Sequence, residues 1–376
     1  MSARTSEQPP SPDVTDDHLL AFRSELMRWY DAARREMPWR KTSDPYRIWL
    51  SEVMLQQTRV EQAEPYYRRF VERFPTVDDL ADAPLDDVLL CWEGLGYYSR
   101  ARNLHKAART VVREFDGNVP DEEERIRSLP GVGPYTAAAV LSIAFGKPHA
   151  VLDGNVARVL TRVFRVQADV KRSATRRRLT ALAGRLMDDK RPGAFNQALM
   201  ELGATVCTPR APSCPSCPLR AVCAAEAHGD QEQYPVTPGT KKIPHYDVAV
   251  ALVYDGDRLL IQRRPEDGML GGLWEFPGGK LERDETAEEA CVRELEEELG
   301  VRIDIIDLFH SLSHAYSHFK ITLHAFRARI LDGTPHSATG MPVRWVQAAE
   351  LDGFAFPRAN RKLIERLANE NVEPPY

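Results

Sequence analysis

The chain has 376 residues, of which 43% are hydrophobic and 28% charged, with a formal net charge of −5 and a mean hydropathy of −0.42. Its length is about two and a half times a usual domain of roughly 150 residues, so two domains with sizeable cores are expected rather than a small stapled scaffold. No apolar run is long enough to span a bilayer, which excludes a helical membrane protein, and the mild negative charge does not by itself advertise nucleic acid.

Residues 1–17 are rich in Pro, Ser and acid and lack the basic and apolar regions of a signal peptide, so a disordered tail on a cytoplasmic protein is expected. From Leu19 to about Glu226, apolar residues recur every three or four positions between Pro and Gly punctuation, which predicts an all-α half. Residues 226–245 carry His228, Gly229, Asp230, Pro235, Pro238, Gly239 and Pro244 without periodicity and read as a linker. Beyond it, Asp247 to Val253 and Arg258 to Arg263 flank the hairpin signal Asp255-Gly256, and further strands are predicted at Ile303 to Leu308, Ile321 to Ile330 and Val343 to Val346. Thr286 to Leu299 between them is a helix opened by a Thr286/Glu289 capping box and closed by Gly300, so the second half, 246–376, is α+β. No internal repeat relates the halves.

Charge is unevenly spread. Lys171 to Arg178 carries five basic residues and no acid, and Glu282 to Glu298 carries nine acids against two arginines. The basic run reads as a phosphate neighbour or, equally, as a solvated helix face.

Within the helical half, Glu52 lies in a helix opened by Asp44-Pro45, with Ile48, Trp49, Leu55 and Gln56 as same-face neighbours. A surface glutamate is the plain reading, but apolar surroundings raise a carboxyl pKa until it holds a proton near neutrality. Leu129-Pro130-Gly131-Val132-Gly133-Pro134 precedes an Ala-rich helix from Tyr135 to Phe145. The turn is either a simple helix connection or a cradle of N–H groups that grips a DNA phosphate at a helix N-terminus. About twenty residues on, Asp153 opens another helical run, either as an ordinary N-cap or as a carboxylate kept ionised by the helix end to stabilise a cationic sugar. Two carboxyls whose surroundings push their pKa values apart make an acid and an electrostatic stabiliser.

Four of the six cysteines, Cys207, Cys214, Cys217 and Cys223, fall within one Pro-rich loop at spacings of six, two and five residues. Four soft thiolates at this spacing favour a [4Fe-4S] cluster over zinc, whose structural sites use paired C-x2-C knuckles. Cys91 and Cys291 sit in helical patterns and read as small buried hydrophobes.

Met37-Pro38-Trp39-Arg40, Ser51 to Thr58, Gly94 to Arg100, Leu129 to Thr136, Val151 to Asn155 and the four cysteines together resemble the helix-hairpin-helix, iron-sulfur DNA glycosylases, and in particular the MutY-type adenine glycosylases. The resemblance implies base-excision repair of adenine mispaired with 8-oxoguanine or guanine in double-stranded DNA, by a monomer without a membrane partner. It assigns Glu52 to protonation of adenine N7, Asp153 to stabilisation of the sugar, and Tyr135 and Asn155 to orientation of the acids and the water. It places a flipped adenine among Trp39, Arg40, Leu55, Val60 and Gln197, wedges Gln57 and Tyr97 into the duplex, and sets Gly131 and Gly133 on a phosphate and Arg210 on DNA. Read singly, Trp39, Leu55 and Tyr97 are core residues. Endonuclease III-like relatives carry a Schiff-base lysine where Tyr135 stands, so base removal without efficient strand cleavage is implied, and an endonuclease III-like glycosylase/lyase is the rival.

Gly279, Glu285, Arg293-Glu294-Leu295, Glu297-Glu298 and Gly300-Val301 fit a complete Nudix box. The preferred expectation is a retained structural helix in a domain that reads 8-oxoguanine. The sharper alternative is nucleotide pyrophosphohydrolase activity with Mg²⁺ on Glu294, Glu297 and Glu298. His314-Ala315-Tyr316-Ser317-His318 reads from its residues as an alternating strand. By resemblance it is a lesion-contacting loop, with Tyr316, Ser317 and His318 at the oxidised purine and Tyr where Phe is usual.

Overall fold

A computed structural model describes residues 15–239 and 243–369. Its described residues divide into two compact units, 15–81 with 106–239, and 82–105 with 243–369. The segment 82–105, expected within the helical domain, therefore packs with the second unit.

The helical part of the chain runs α1 (Asp16–Ala33), α2 (Pro45–Met54), α3 (Val60–Arg73), α4 (Val77–Asp82), α5 (Leu85–Trp92), α6 (Ser99–Phe115), α7 (Glu123–Arg127), α8 (Pro134–Ile143), α9 (Gly154–Val163), α10 (Ser173–Leu186), α11 (Pro192–Thr205) and α12 (Ala224–His228). In the first unit, Phe22, Leu26 and Tyr30 of α1 join Val156, Leu160 and Val163 of α9, Leu179 and Leu186 of α10, and Phe195, Leu199 and Leu202 of α11 in one core. Each such side chain contributes about 1.5–3 kcal/mol by leaving water, and the packing turns the opposite edge of α11 toward the carboxyl pair described below. Helix starts follow local chemistry: Asp44 caps α2 by accepting from the Tyr46 and Arg47 N–H groups, and Pro45 takes the first position, where no N–H is needed.

The second unit carries β1 (His245–Asp255), β2 (Arg258–Arg263), β3 (Trp274–Glu275), β4 (Gly278–Lys280), α13 (Ala287–Leu299), β5 (Arg302–Ala315), β6 (Lys320–Asp332), β7 (Val343–Gln347) and α14 (Arg358–Asn369). The seven strands form one mixed sheet in the order β3-β2-β1-β6-β5, with β4 on β1, β7 on β2, and only the β1–β6 pair parallel. Alternation along β1 sends Ala249, Ala251 and Val253 to Cys291, Leu295 and Leu299 of α13, and Val250, Leu252 and Tyr254 to the layer that holds Leu363, Ile364 and Leu367 of α14. The fold is thus an all-helical part followed by a helix-covered mixed sheet. Cys91 and Cys291 are buried within α5 and α13. The capping box expected at Thr286 forms with Glu289, and Gly300 closes α13 in the left-handed region.

Two boundaries differ from expectation. Of the tail expected over 1–17, residues 1–14 lie outside the described part, while Thr15 caps α1 by accepting from the His18 N–H and Asp16 and Asp17 are helical. The expected linker 226–245 is ordered at its start, because Tyr234 is buried with its carbonyl accepting from Arg162, and Asp230 pairs with Arg165 at 2.7 Å. Residues 240–242 lie outside the described part, and β1 already begins at His245.

Candidate active site

Every residue of α2 from Ile48 to Met54 is buried, and Glu52 among them is only 5% exposed. The Tyr135 hydroxyl, delivered by the second residue of α8, donates to Glu52 Oε2 at 2.7 Å and lies 3.2 Å from Met200 Sδ. Burial pushes the Glu52 carboxyl up from 4.5 to about 7, with the Tyr135 hydrogen bond working against the rise and the charge of Asp153 adding to it. The Tyr135 phenol is held well above its ordinary range, first by burial and then by the charges of Glu52 and Asp153, so it stays neutral.

Asp153 is the N-cap of α9, accepting from the Val156 N–H at 2.7 Å and from Asn155 Nδ2 at 3.0 Å. The expectation that the helix end would hold this carboxyl down needs correction. Burial outweighs the N–H groups, Asn155 and Arg158, and the net direction is upward. Both carboxyls are therefore raised by desolvation, and they differ in support: Glu52 accepts from a phenol, Asp153 from a helix terminus and an amide.

Behind Asp153 runs a chain of hydrogen bonds absent from the sequence reading. Arg158 Nη2 donates to Asn155 Oδ1 at 2.8 Å and to the Gly203 carbonyl at 2.7 Å, and its Nε donates to the Cys207 carbonyl at 2.7 Å. Arg162, buried on the next turn, donates to the carbonyls of Thr208 and Pro209 and lies 3.3 Å from Cys207 Sγ. Gly203 permits this closeness, since a Cβ there would lie 2.6 Å from that of Asn155. Helical spacing was the available signal: Arg158 follows Asn155 by three residues.

Trp39, Arg40, Glu52, Leu55, Val60, Tyr135, Asp153, Asn155 and Gln197 all line one cavity of about 390 Å³, within the range of small-molecule sites. Its polar wall includes Arg35 and Glu201, which the sequence reading did not single out. Glu201 accepts from Arg35 Nε at 2.7 Å and Arg40 Nη2 at 2.9 Å; burial alone would raise its carboxyl, but the two guanidiniums outweigh this and hold it low. An acid one turn after Gln197 in an otherwise apolar helix was the clue. Gln57 lies outside this lining, exposed, with φ of 57°, and Tyr97 of the second unit has φ of 49°. Such conformations are uncommon for residues with a Cβ and gather at functional positions.

The turn before α8 bends at Gly131, where φ is 76°, and Gly133 caps the helix. Of the basic run, Arg176 donates to the Leu152 carbonyl, one residue before Asp153. Arg210 is exposed in the cysteine loop. Cys207, Cys214, Cys217 and Cys223 surround a small cavity shared with Val159, Leu202 and Leu219. Burial raises the thiols of Cys214, Cys217 and Cys223, that of Cys217 to about 12, so that only a bound cation would make them thiolates. The four thiols are the donor type that a soft metal group takes and they border one cavity, though among the described residues no three of them are spaced for a single ion.

In the second unit, Tyr316 to Phe319 form the turn between β5 and β6, closed by the Tyr316 N–H on the Phe319 carbonyl. Tyr316 stacks on Phe319 at 4.6 Å with its ring turned inward, whereas Ser317 and His318 are exposed and the His318 ring lies 5.6 Å from that of Tyr97. The plain strand reading therefore stops at Ala315. Glu294 and Glu297 both accept from Arg293 Nη1, at 3.0 and 3.1 Å, and Glu298 accepts from Gln262 Nε2 at 2.6 Å. These acids are engaged within the fold, and among the described residues no three His, Cys, Asp or Glu side chains gather around one point for a single ion. Mg²⁺ at this helix has no support in the arrangement. No helix among the described residues is long and apolar enough to cross a membrane.

Residues 50–184 match the HhH-GPD superfamily base excision DNA repair protein family, and residues 248–366 match the NUDIX domain. The chain is 36% identical to the adenine DNA glycosylase of Homo sapiens across 92% of this chain and 74% of that protein, and 37% identical to that of Mus musculus across 94% and 78%. Among solved structures, a thermostable thymine-DNA glycosylase superposes with a TM-score of 0.53 at 32% identity, covering 57% of this chain and 100% of that one. Two carboxyls and a tyrosine meet in one cavity, on a chain that aligns with these relatives through both its helical and its sheet-bearing parts, and it belongs to the adenine DNA glycosylase family.

Proposed function

We propose that this protein excises adenine from double-stranded DNA by acid-assisted hydrolysis of the N-glycosidic bond, acting as a monomer on a base extruded into the 390 Å³ cavity. The observation that supports this most directly is the meeting of Glu52, Tyr135 and Asp153 in that cavity, with the Glu52 carboxyl raised to about 7 and so poised to give up a proton near neutrality. Glu52 transfers its proton to N7 of adenine, and the electron pair of the bond to the sugar leaves with the base. Asp153, oriented by Asn155, faces the cationic sugar until water adds to it and passes its proton to the Glu52 carboxylate left by the first step. Tyr135 offers a phenol where an amine would attack the sugar, so no Schiff base forms and the strand stays intact.

In this reading the adenine stands opposite 8-oxoguanine or guanine. Exposed Ser317, at the tip of the β5–β6 turn, hydrogen-bonds the N7–H or O8 that distinguishes the oxidised base. Cys207, Cys214, Cys217 and Cys223 would hold a [4Fe-4S] cluster, which supplies a structural tie for the loop that carries Arg210 toward DNA. Arg158 and Arg162 brace that loop against α9 and, through Asn155, against Asp153.

The test is single-turnover excision on duplexes that place adenine opposite 8-oxoguanine, guanine and cytosine, each sampled with and without alkali. Adenine release in the first two, with nicks only after alkali, is expected. Nicks without alkali would favour the endonuclease III-like rival, and no adenine release from any duplex would end the proposal.

A further inference from the structure

Tyr30 lies on α1, does not line the cavity, and is 1% exposed. Its hydroxyl stands 2.6 Å from Gln197 Oε1, a separation typical of O–H···O rather than N–H···O. Its ring also carries the Arg40 guanidinium 5.6 Å from its centroid, and Arg40 is in turn tied to Glu201. Two cavity-lining side chains, Gln197 and Arg40, thus rest on one buried phenol. If the amide turned over, the phenol would accept from Nε2, and its own O–H, which meets no other acceptor among the described residues, would be left unpaired in a buried place, so the observed orientation is the favoured one. Gln197 Nε2 makes no hydrogen bond to any described residue, which leaves its two N–H groups for whatever fills the cavity.

We propose that Tyr30 is a positioning residue for base selection: it locks the Gln197 amide so that the cavity presents an N–H donor and never the amide oxygen. The inference rests on the cavity being the seat of an extruded adenine. A fixed donor suits N1 of adenine, which only accepts. Hypoxanthine and guanine carry a hydrogen on N1, and there the two donors would oppose each other. A freely turning amide would rotate and accept from that hydrogen, erasing the distinction. The lock therefore turns a residue that could read either edge into one that disfavours a purine with a hydrogen on N1.

The experiment compares single-turnover excision of adenine and of hypoxanthine opposite the same partner base, in wild type, Tyr30→Phe, Gln197→Glu and the double variant. Tyr30→Phe frees the amide and is expected to narrow the adenine-to-hypoxanthine rate ratio by about tenfold or more, chiefly by raising hypoxanthine excision. Gln197→Glu offers acceptors only and is expected to shift the ratio toward hypoxanthine. Because the two carboxylate oxygens are equivalent, adding Tyr30→Phe to Gln197→Glu should leave that ratio where it was. A merely structural role would lower both rates in parallel and leave the ratio of Tyr30→Phe at the wild-type value, which overturns the proposal, as does hypoxanthine excision that remains undetectable in that variant. If Tyr30→Phe does not fold, an unchanged ratio in Gln197→Glu overturns it equally. Failure of wild type to release adenine would instead count against the excision reading itself.

Discussion

Replacing Glu52 by Gln keeps the shape and the acceptor for Tyr135 but removes the titration of a carboxyl that is 5% exposed. With a folded-state pKa near 7 against 4.5 for the free side chain, the folded chain holds a proton that the unfolded chain has lost between those values. The stability linked to Glu52 is therefore fully present below about pH 4.5 and drains away as the pH rises through 7. The full difference is about 3 kcal/mol at roughly 1.4 kcal/mol per tenfold change in proton affinity. Gln pays none of it, so Glu52→Gln should unfold like wild type at pH 4.5 and be more stable by up to about 3 kcal/mol at pH 8 and above. Excision should fall by about 10²–10⁴-fold, and in wild type the rate should decline as the pH passes upward through about 7. Urea unfolding of both proteins across pH 4.5–9, beside single-turnover rates, measures each part. A stability difference that is independent of pH, or a wild-type rate that rises through neutrality, would refute the assignment of Glu52 as a buried, proton-holding acid.

Arg158→Met leaves the Asn155 amide oxygen and the carbonyls of Gly203 and Cys207 without their donor; a cost of about 2–4 kcal/mol and a fall in excision are expected, read by urea midpoint and single-turnover rate, and unchanged excision would detach the cysteine loop from Asp153. Glu201→Leu strands the guanidiniums of Arg35 and Arg40 against the cavity and should cost about 3 kcal/mol, measured by chemical denaturation, with weaker binding of adenine-containing duplex. Ser317→Ala should narrow the preference for 8-oxoguanine over guanine while adenine release by saturated enzyme stays nearly constant; equal preference in the two proteins would remove Ser317 from lesion reading.

Local chemistry wrote much of this molecule in plain view. The Thr286/Glu289 box with Gly300 bounded α13, Asp44-Pro45 opened α2, and the period-two run of β1 marked a strand, because caps, prolines and side-chain alternation act within a few residues. The short strands Trp274–Glu275 and Gly278–Lys280 left no such mark, since their Pro and Gly neighbours read as loop and only pairing with β2 and β1 makes them strands. The linker reading failed at Asp230 and Tyr234 for a related reason: their partners Arg165 and Arg162 lie some seventy residues earlier.

The carboxyl pair shows the same division. Residue types and spacing determined that Glu52 sits on an apolar helix face, that Asp153 caps a helix, and that four thiols share one loop. Only the tertiary structure decided that Tyr135 reaches Glu52, that burial raises Asp153 as well, and that Arg158 joins Asn155 to the cysteine loop. Propensity and capping are properties of neighbours along the chain. Desolvation and hydrogen bonding across α2, α8, α9 and α11 depend on which surfaces are pressed together, and that is set by packing between residues far apart in sequence.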